Sequence, residues 1–150
     1  MTQRVLIRGL EGLVALLLLA LIAVTAVDVV GRYLMNAPLS GAFEMTELIL
    51  GALVFAALPL VSKSGSHVEV DLLVSVLPTR VNHRLGLAAA AISAAVLVYF
   101  AWQLGRLGLN QLHEGSRSVS LGVPYWPFAA LGAVCCLLAA WFGIRRAVRT

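Results

Sequence analysis

Residues 12–27 read GLVALLLLALIAVTAV and contain no Asp, Glu, Lys, Arg or His. With its apolar flanks the run extends from about Leu10 to Val30, and a helix needs roughly 20 largely apolar residues to span the hydrocarbon core of a bilayer. The apolar residues follow one another without the inside–outside alternation of a membrane-barrel strand, which favours a helix. This stretch therefore predicts a transmembrane helix.

Three further runs of the same kind follow, at about 43–62, 85–104 and 126–144, and connections with Gly, Pro, Ser or Asn separate them. The 150-residue chain is 61% hydrophobic and 12% charged, with a mean hydropathy of +0.95. An ordinary soluble domain carries about 25% charged residues, so there is too little polar surface here to cover one. We therefore predict an all-α membrane protein in which residues 1–150 form a single transmembrane domain of four helices.

The basic residues predict the orientation, because Lys and Arg are enriched on the cytoplasmic side of membrane proteins. On the side of the N-terminus lie Arg4, Arg8, Lys63, Arg80, Arg84, Arg145, Arg146 and Arg149; on the opposite side lie Arg32, Arg106 and Arg117. Both termini are therefore expected in the cytoplasm, and the net charge of +4 indicates contact with anionic membrane lipid and not with nucleic acid. The aromatic residues expected at the membrane interfaces are Tyr33, Trp102, Tyr125 and Trp126 on the outer side and Trp141 nearer the inner side.

The apolar runs lack the side chains that carry out chemistry inside membranes. Their central parts, 12–27, 48–61, 85–102 and 128–144, contain no Asp, Glu, Lys, Arg or His, and such groups at mid-depth usually mark an ion or solute pathway. The three histidines, His67, His83 and His113, all lie outside the runs, so they cannot face one another as haem ligands between helices. The adjacent Cys135 and Cys136 are interpreted as packing residues. We predict no catalytic residue, no cofactor and no metal site.

The charged residues instead cluster at the ends of the runs. Asp28 and Arg32 are four positions apart and share a helical face, so they form either an intrahelical pair or a contact with a partner subunit. Glu44 and Glu47 are three positions apart at the start of the second helix. The helix dipole favours acids there, and the alternative is that they pair with Arg32 or with a basic group on another subunit.

The connection between the second and third helices carries a pattern of its own. Asp71 can cap a short helix that Pro78 ends, and its apolar content suggests an interfacial helix on the inner membrane face or on a partner. The alternation from His67 to Leu72 fits a strand equally well. His67 could titrate near neutral pH, although a plain loop or capping role is the simpler interpretation.

Four motifs in this order resemble the small permease subunit of tripartite ATP-independent periplasmic (TRAP) transporters. They are RY…NAP at residues 32–38, FE…EL at 43–48, HVEVDLL…LP at 67–78 and S…LGVPYW at 118–126. Family members often have Trp followed by adjacent glutamates, whereas this chain has Phe43 and glutamates three positions apart. Glu47, directly before Leu48, is therefore a better match to the family pattern than Glu44.

The resemblance implies a set of partners and a location in the bacterial inner membrane. In the family, the small subunit binds a large membrane subunit that holds the substrate and sodium sites and moves in elevator fashion. A periplasmic binding protein delivers the solute, typically an organic acid. The small subunit is then expected to be a fixed, non-catalytic scaffold. Asp28, Arg32, Glu44, Glu47, His67 and Asp71 are the residues expected to make subunit contacts or to support local structure.

Two other classes of function remain open from the sequence. A self-sufficient small multidrug-type exporter has a similar number of helices, but it needs a carboxylate inside the first span, and Asp28 lies close to the end of that span. A membrane-anchor subunit of a respiratory enzyme needs histidine ligands within the spans or a quinone pocket.

Overall fold

A computed structural model describes residues 2–64 and 79–147 of the chain. These residues form four α-helices, which are α1 (Thr2–Leu34), α2 (Ala42–Ser64), α3 (Thr79–Glu114) and α4 (Trp126–Ala147). Each of the four is long and apolar enough to cross a membrane. Within the described ranges there is no β-strand, and strand-like pairing is limited to one isolated bridge between Arg117 and Pro124. The predicted all-α fold with four membrane-spanning helices is confirmed. The interfacial helix predicted near Asp71, together with His67, falls outside the described residues.

Two of the helices are much longer than the apolar runs that predicted them. Helix α1 has 33 residues and α3 has 36, which correspond to about 50 and 54 Å at 1.5 Å per residue. A bilayer core is only about 30 Å thick, so both helices either tilt or extend beyond it. The third run was predicted to end at Leu104, but α3 continues to Glu114. Residues 105–114 are less apolar than the run before them, but they contain no proline that would interrupt a helix. The helix therefore continues for ten residues beyond the end of its apolar part.

The helices are arranged as an open row and not as a closed bundle. The extensive contacts are those of α1 with α2, α2 with α4, and α4 with α3. The spatial order is therefore α1–α2–α4–α3, with α2 and α4 in the middle. The most apolar 18 residues of α1 have none of their number buried, whereas the corresponding stretch of α4 has the largest buried share; near the start of α1, Ile7 and Leu10 are buried. The two end helices consequently expose most of their surface to whatever surrounds the protein.

Small residues allow the middle of the row to pack closely. The buried residues of α4 are Ala129, Gly132, Cys135, Cys136, Ala139, Ala140 and Phe142. Gly132 lies where three helices meet, since a methyl group placed on it would be 3.1 Å from Leu104 Cδ1 and 3.2 Å from Phe55 Cδ2. Gly108 of α3 is similarly close to Ala129, at 3.4 Å. Without hydrophobic driving force between helices in lipid, such close contact is a main source of helix association.

Candidate functional site

Polar side chains converge at those helix ends that are joined by the connections 35–41 and 115–125. We call this the outer end, because the sequence predicts that it faces the periplasm. Three groups of contacts build it: the end of α1 with the turn that follows, the first turn of α2, and the connection between α3 and α4.

At the end of α1, Asp28 holds both its own helix and the turn that follows. The Arg32 guanidinium lies 2.8 Å from the Asp28 carboxylate, one helical turn away. The other carboxylate oxygen of Asp28 accepts a hydrogen bond of 3.1 Å from the backbone N–H of Leu39. The chain reverses after α1 because the Gly31 carbonyl accepts hydrogen bonds from the N–H groups of both Met35 and Ala37. The structure thus forms the intrahelical pair, and it adds a link to the α1–α2 connection.

Glu44, in the first turn of α2, binds the connection between α3 and α4. The Ser118 hydroxyl donates a hydrogen bond to the Glu44 carboxylate. The Ser120 N–H lies 3.1 Å from both carboxylate oxygens, and the Ser120 hydroxyl donates to one of them at 3.2 Å. Ser118 is only 4% exposed, and its oxygen also accepts a hydrogen bond of 3.1 Å from the Leu121 N–H. One carboxylate therefore organises three residues of a connection that is distant in sequence.

The segment 116–125 folds into a compact, hairpin-like connection. The Ser118 N–H donates to the Val123 carbonyl at 2.9 Å, and the Gly122 N–H donates back to the Ser118 carbonyl at 3.0 Å. Gly122 has a positive φ of 65°, a conformation that glycine adopts at little cost. The Arg117 guanidinium reaches the Gly122 carbonyl at 3.4 Å. The polar groups of this connection are therefore largely satisfied by the connection itself and by Glu44.

Glu47 behaves differently from Glu44, although the two are only three positions apart. Its side chain is exposed, and among residues 2–64 and 79–147 it has no hydrogen-bond or ion-pair partner. Neither glutamate pairs with Arg32, which is bound to Asp28. The family pattern favoured Glu47 as the residue with a role, whereas inside this chain Glu44 makes the contacts. Glu47 remains available to a group outside the chain.

Ser118 opens the fourth family motif, but the sequence predicted no partner for it, and it did not single out Ser120. Their contacts with Glu44 join positions 74 and 76 residues apart, and no local periodicity indicates such a pairing. A weak signal was present, since the Ser-Val-Ser segment at 118–120, directly before Leu121 and Gly122, places two hydroxyls on one side of an extended turn. Only the packing of α2 against α4 brings that side to the first turn of α2.

The aromatic residues predicted at the interfaces lie near the ends of the helices or next to arginines. Tyr33 is exposed at the end of α1, and Trp126 opens α4 after Tyr125. The guanidinium of Arg106 lies 5.1 Å from the centre of the Trp102 ring, and that of Arg145 lies 4.6 Å from the centre of the Trp141 ring. Cation–π contacts of this kind suit an interface that is apolar on one side and wet on the other. The placement of these rings at the membrane surfaces remains a prediction.

In the part of the chain that the structure describes, the features between the helices that could bind a ligand are two cysteines and one cleft. No group of three or more His, Cys, Asp and Glu residues in that part is arranged to hold a metal ion. Cys135 and Cys136 are buried and free, surrounded by the small residues of α4. An open cleft of about 350 Å³ lies at the inner ends of α1 and α2, lined by Ile7, Glu11, Leu60, Val61 and Lys63. His67 and Asp71, as noted, lie outside the described residues.

These features define a class of protein. It is a multi-pass membrane protein of four helices, with its polar contacts gathered at the outer end of the helices. The family model for the DctQ component of tripartite ATP-independent periplasmic transporters matches residues 21–150. The chain belongs to this family, as the four sequence motifs predicted, and it is a multi-pass protein of the inner membrane and the small membrane component of a TRAP transporter. A search of curated proteins finds no match.

Proposed function

We propose that this chain is the non-catalytic scaffold subunit of a sodium-coupled importer of an organic acid. It acts together with a large permease subunit and a periplasmic solute-binding protein. Membership of the DctQ component family supports a role as the small membrane subunit of such a system. The observation that carries the scaffold role is the absence of Asp, Glu, Lys, Arg and His from the central parts of all four apolar runs.

A transported carboxylate and its coupled cations need polar groups at the depth where they cross the membrane. In this chain the charges lie near the helix ends, and several are already engaged in structural contacts. Asp28 is engaged by Arg32 and by the Leu39 N–H, and Glu44 is engaged by Ser118 and Ser120. The contacts suit a rigid framework that supports a moving partner.

The described structure adds no residue that would support either alternative, the small multidrug-type exporter or the membrane anchor of a respiratory enzyme. An exporter of the small multidrug type needs a free carboxylate within a span, but the Asp28 carboxylate is bound by Arg32 and by the following turn. A haem-binding anchor needs histidines that face each other between helices. His113 is exposed in the last turn of α3, away from the middle of the row.

The proposal is tested by uptake measurements in cells that carry the large subunit and the binding protein with or without this chain. We expect deletion of this chain to abolish uptake of a labelled organic acid and a plasmid copy to restore it. Uptake should also disappear when the sodium gradient is collapsed. Full uptake in the deletion strain would contradict the scaffold role, and uptake without a sodium gradient would contradict the coupling.

A further inference from the structure

The face of α3 that points away from the row carries two polar side chains at membrane depth, Tyr99 and Gln103, and Arg106 nearer the outer end. Gln103 and Tyr99 each lie two positions from the buried Ala101, and Arg106 lies two positions from the buried Gly108. Two positions on an α-helix correspond to about 200°. The three side chains therefore project from the side of α3 opposite to its contact with α4, and all three are exposed.

Their depth follows from the packing of α3 against α4. Leu104 lies beside Gly132, since a methyl group on this glycine would be 3.1 Å from Leu104 Cδ1. Gly132 is six residues, or about 9 Å, inside α4 from Trp126, and Gln103 is next to Leu104 in the chain. Tyr99 is about 6 Å deeper still. With Trp126 at the outer interface, as the sequence predicts, this pair lies within the hydrocarbon region of the outer leaflet. Trp102, next to Gln103, then lies deeper than the interface at which the sequence predicted it.

These groups are only partly satisfied by the rest of the described chain. The Gln103 side-chain nitrogen donates a hydrogen bond of 3.0 Å to the Tyr99 hydroxyl, which leaves the amide oxygen and a second N–H without a protein partner in residues 2–64 and 79–147. Arg106 contacts the Trp102 ring, but in the same ranges it has no carboxylate or carbonyl acceptor. The nearest acid along the helix is Glu114, eight positions or about 12 Å away.

Helix α1, at the opposite edge of the row from α3, has an outward face of a different composition. The outward face of α1 is built of leucine, isoleucine, valine and alanine side chains, including the exposed Leu18, Leu19 and Ile22. Its one exposed hydroxyl in this part, Thr25, donates to the Leu21 carbonyl of its own helix at 2.8 Å. Lipid tails can cover this face without leaving a polar group unpaired. They cannot do so at Gln103, because lipid tails offer no hydrogen-bond partner. Arg106 lies nearly one turn nearer the outer end and has no acceptor in the described ranges.

We propose that Tyr99, Trp102, Gln103 and Arg106, here called the α3 patch, form the docking surface for a transmembrane helix of the large permease subunit. The proposal rests on the proposed function and specifies which end of the row the partner occupies. The partner helix supplies a hydrogen-bonding side chain to Gln103 and an acceptor to Arg106, either a carboxylate or the carbonyls of a helix C-terminus. Tyr, Trp and Arg are the residue types that most often dominate binding energy at protein interfaces.

A second copy of this chain fits the α3 patch poorly. Two copies with the same orientation in the membrane would meet across a two-fold axis, and that axis brings equivalent residues to the same depth. Arg106 would then face Arg106 in an environment of low dielectric constant, where like charges repel strongly. The patch calls for a partner of different sequence.

Site-specific photo-crosslinking in membranes that contain the whole transporter tests the proposal. Ile92 lies seven positions before Tyr99, on the same face of α3, and is 66% exposed; Ile22 on α1 is a matched control that is 56% exposed. We expect a photoreactive residue at Ile92 to form an adduct with the large permease subunit, identified by mass spectrometry, and one at Ile22 to form lipid adducts. The large subunit captured at Ile22 and not at Ile92 would overturn the proposal, as would only lipid or self-adducts at Ile92.

Substitutions within the patch provide a second readout. We expect the double variant Gln103→Leu, Arg106→Leu to recover at least tenfold less large subunit on affinity purification of the tagged small chain. Thr25→Val on α1 is the control for replacing a polar residue by an apolar one, and it should leave recovery unchanged. Full recovery with the double variant would contradict the α3 patch while leaving the proposed function intact. Failure of the unsubstituted chain to bring down any large permease subunit would contradict both.

Discussion

At the outer end of α2, the Glu44 carboxylate joins the first turn of this helix to the connection between α3 and α4, through Ser118 and Ser120, which are 74 and 76 positions away in sequence. It accepts hydrogen bonds from one backbone N–H and two hydroxyls, so it fixes both the position of segment 116–125 and the start of α2. For individual residues, the sequence predicted only those contacts that join positions close together in the chain. The Asp28–Arg32 pair was among its predictions because four positions define one helical face, whereas the partners of Glu44 depend on helix packing.

The variant Glu44→Gln tests the contribution of this carboxylate to stability. An amide in its place presents an NH₂ group toward donors of Ser118 and Ser120, so hydrogen bonds are lost. We expect a lower midpoint of thermal unfolding in detergent, measured by the reaction of the buried Cys135 and Cys136 with a thiol-reactive dye. The matched variant Glu47→Gln, at a side chain without a partner in the described ranges, should leave the midpoint unchanged. Equal midpoints for the two variants would contradict the role given to Glu44.

Gly41 tests the close approach of the two connections independently. It has a positive φ of 80°, and a Cβ atom on it would lie 2.8 Å from Leu121 Cδ2. Gly41→Ala therefore meets both a backbone penalty of about 1–2 kcal/mol and a collision. Gly115 also has a positive φ, 66°, but has open space around it. We expect Gly41→Ala to lower the unfolding midpoint more than Gly115→Ala does; the reverse order would show that Leu121 does not pack there.

At the scale of elements, the sequence predicted the number and type of the helices because about 20 apolar residues without a charge have few alternatives in a bilayer. The ends of the helices were predicted less well. α3 continues to Glu114 because helix geometry, unlike hydropathy, does not require apolar residues once the chain has left the hydrocarbon. The short interfacial helix around Asp71 and the role of His67 remain predictions.

The junction of α2, α3 and α4 at Gly132 is the critical packing contact at this scale. A side chain on Gly132 meets Leu104 and Phe55 at 3.1–3.3 Å, and overpacking of a close contact typically costs about 1–3 kcal/mol. We expect Gly132→Leu to lower the unfolding midpoint and to broaden the elution profile of the purified protein. The control is Gly51→Leu in α2, where a Cβ atom meets nothing within 4 Å. Identical behaviour of the two variants would contradict the three-helix junction.

At the scale of the whole molecule, the order α1–α2–α4–α3 could not be predicted from the sequence. Each helix presents apolar residues around most of its circumference, and lipid and a neighbouring helix satisfy such a surface equally well. The alanines and glycines of α4 permit close packing, but they do not determine which helices pack there. The open row explains how so short a chain presents a wide surface, and it leaves the two end helices with different faces, one apolar and one polar.

The central claim is that these helices handle no solute or ion by themselves, because the central parts of their apolar runs carry no group able to bind or neutralise a charge. The most direct measurement is the flux of labelled organic acids into sodium-free liposomes that contain the purified chain alone, with and without sodium in the outside medium. We predict no uptake above that of protein-free liposomes in either medium, and uptake from the sodium-containing medium once the large subunit and the loaded binding protein are added. Sodium-dependent accumulation by the chain alone would contradict the account.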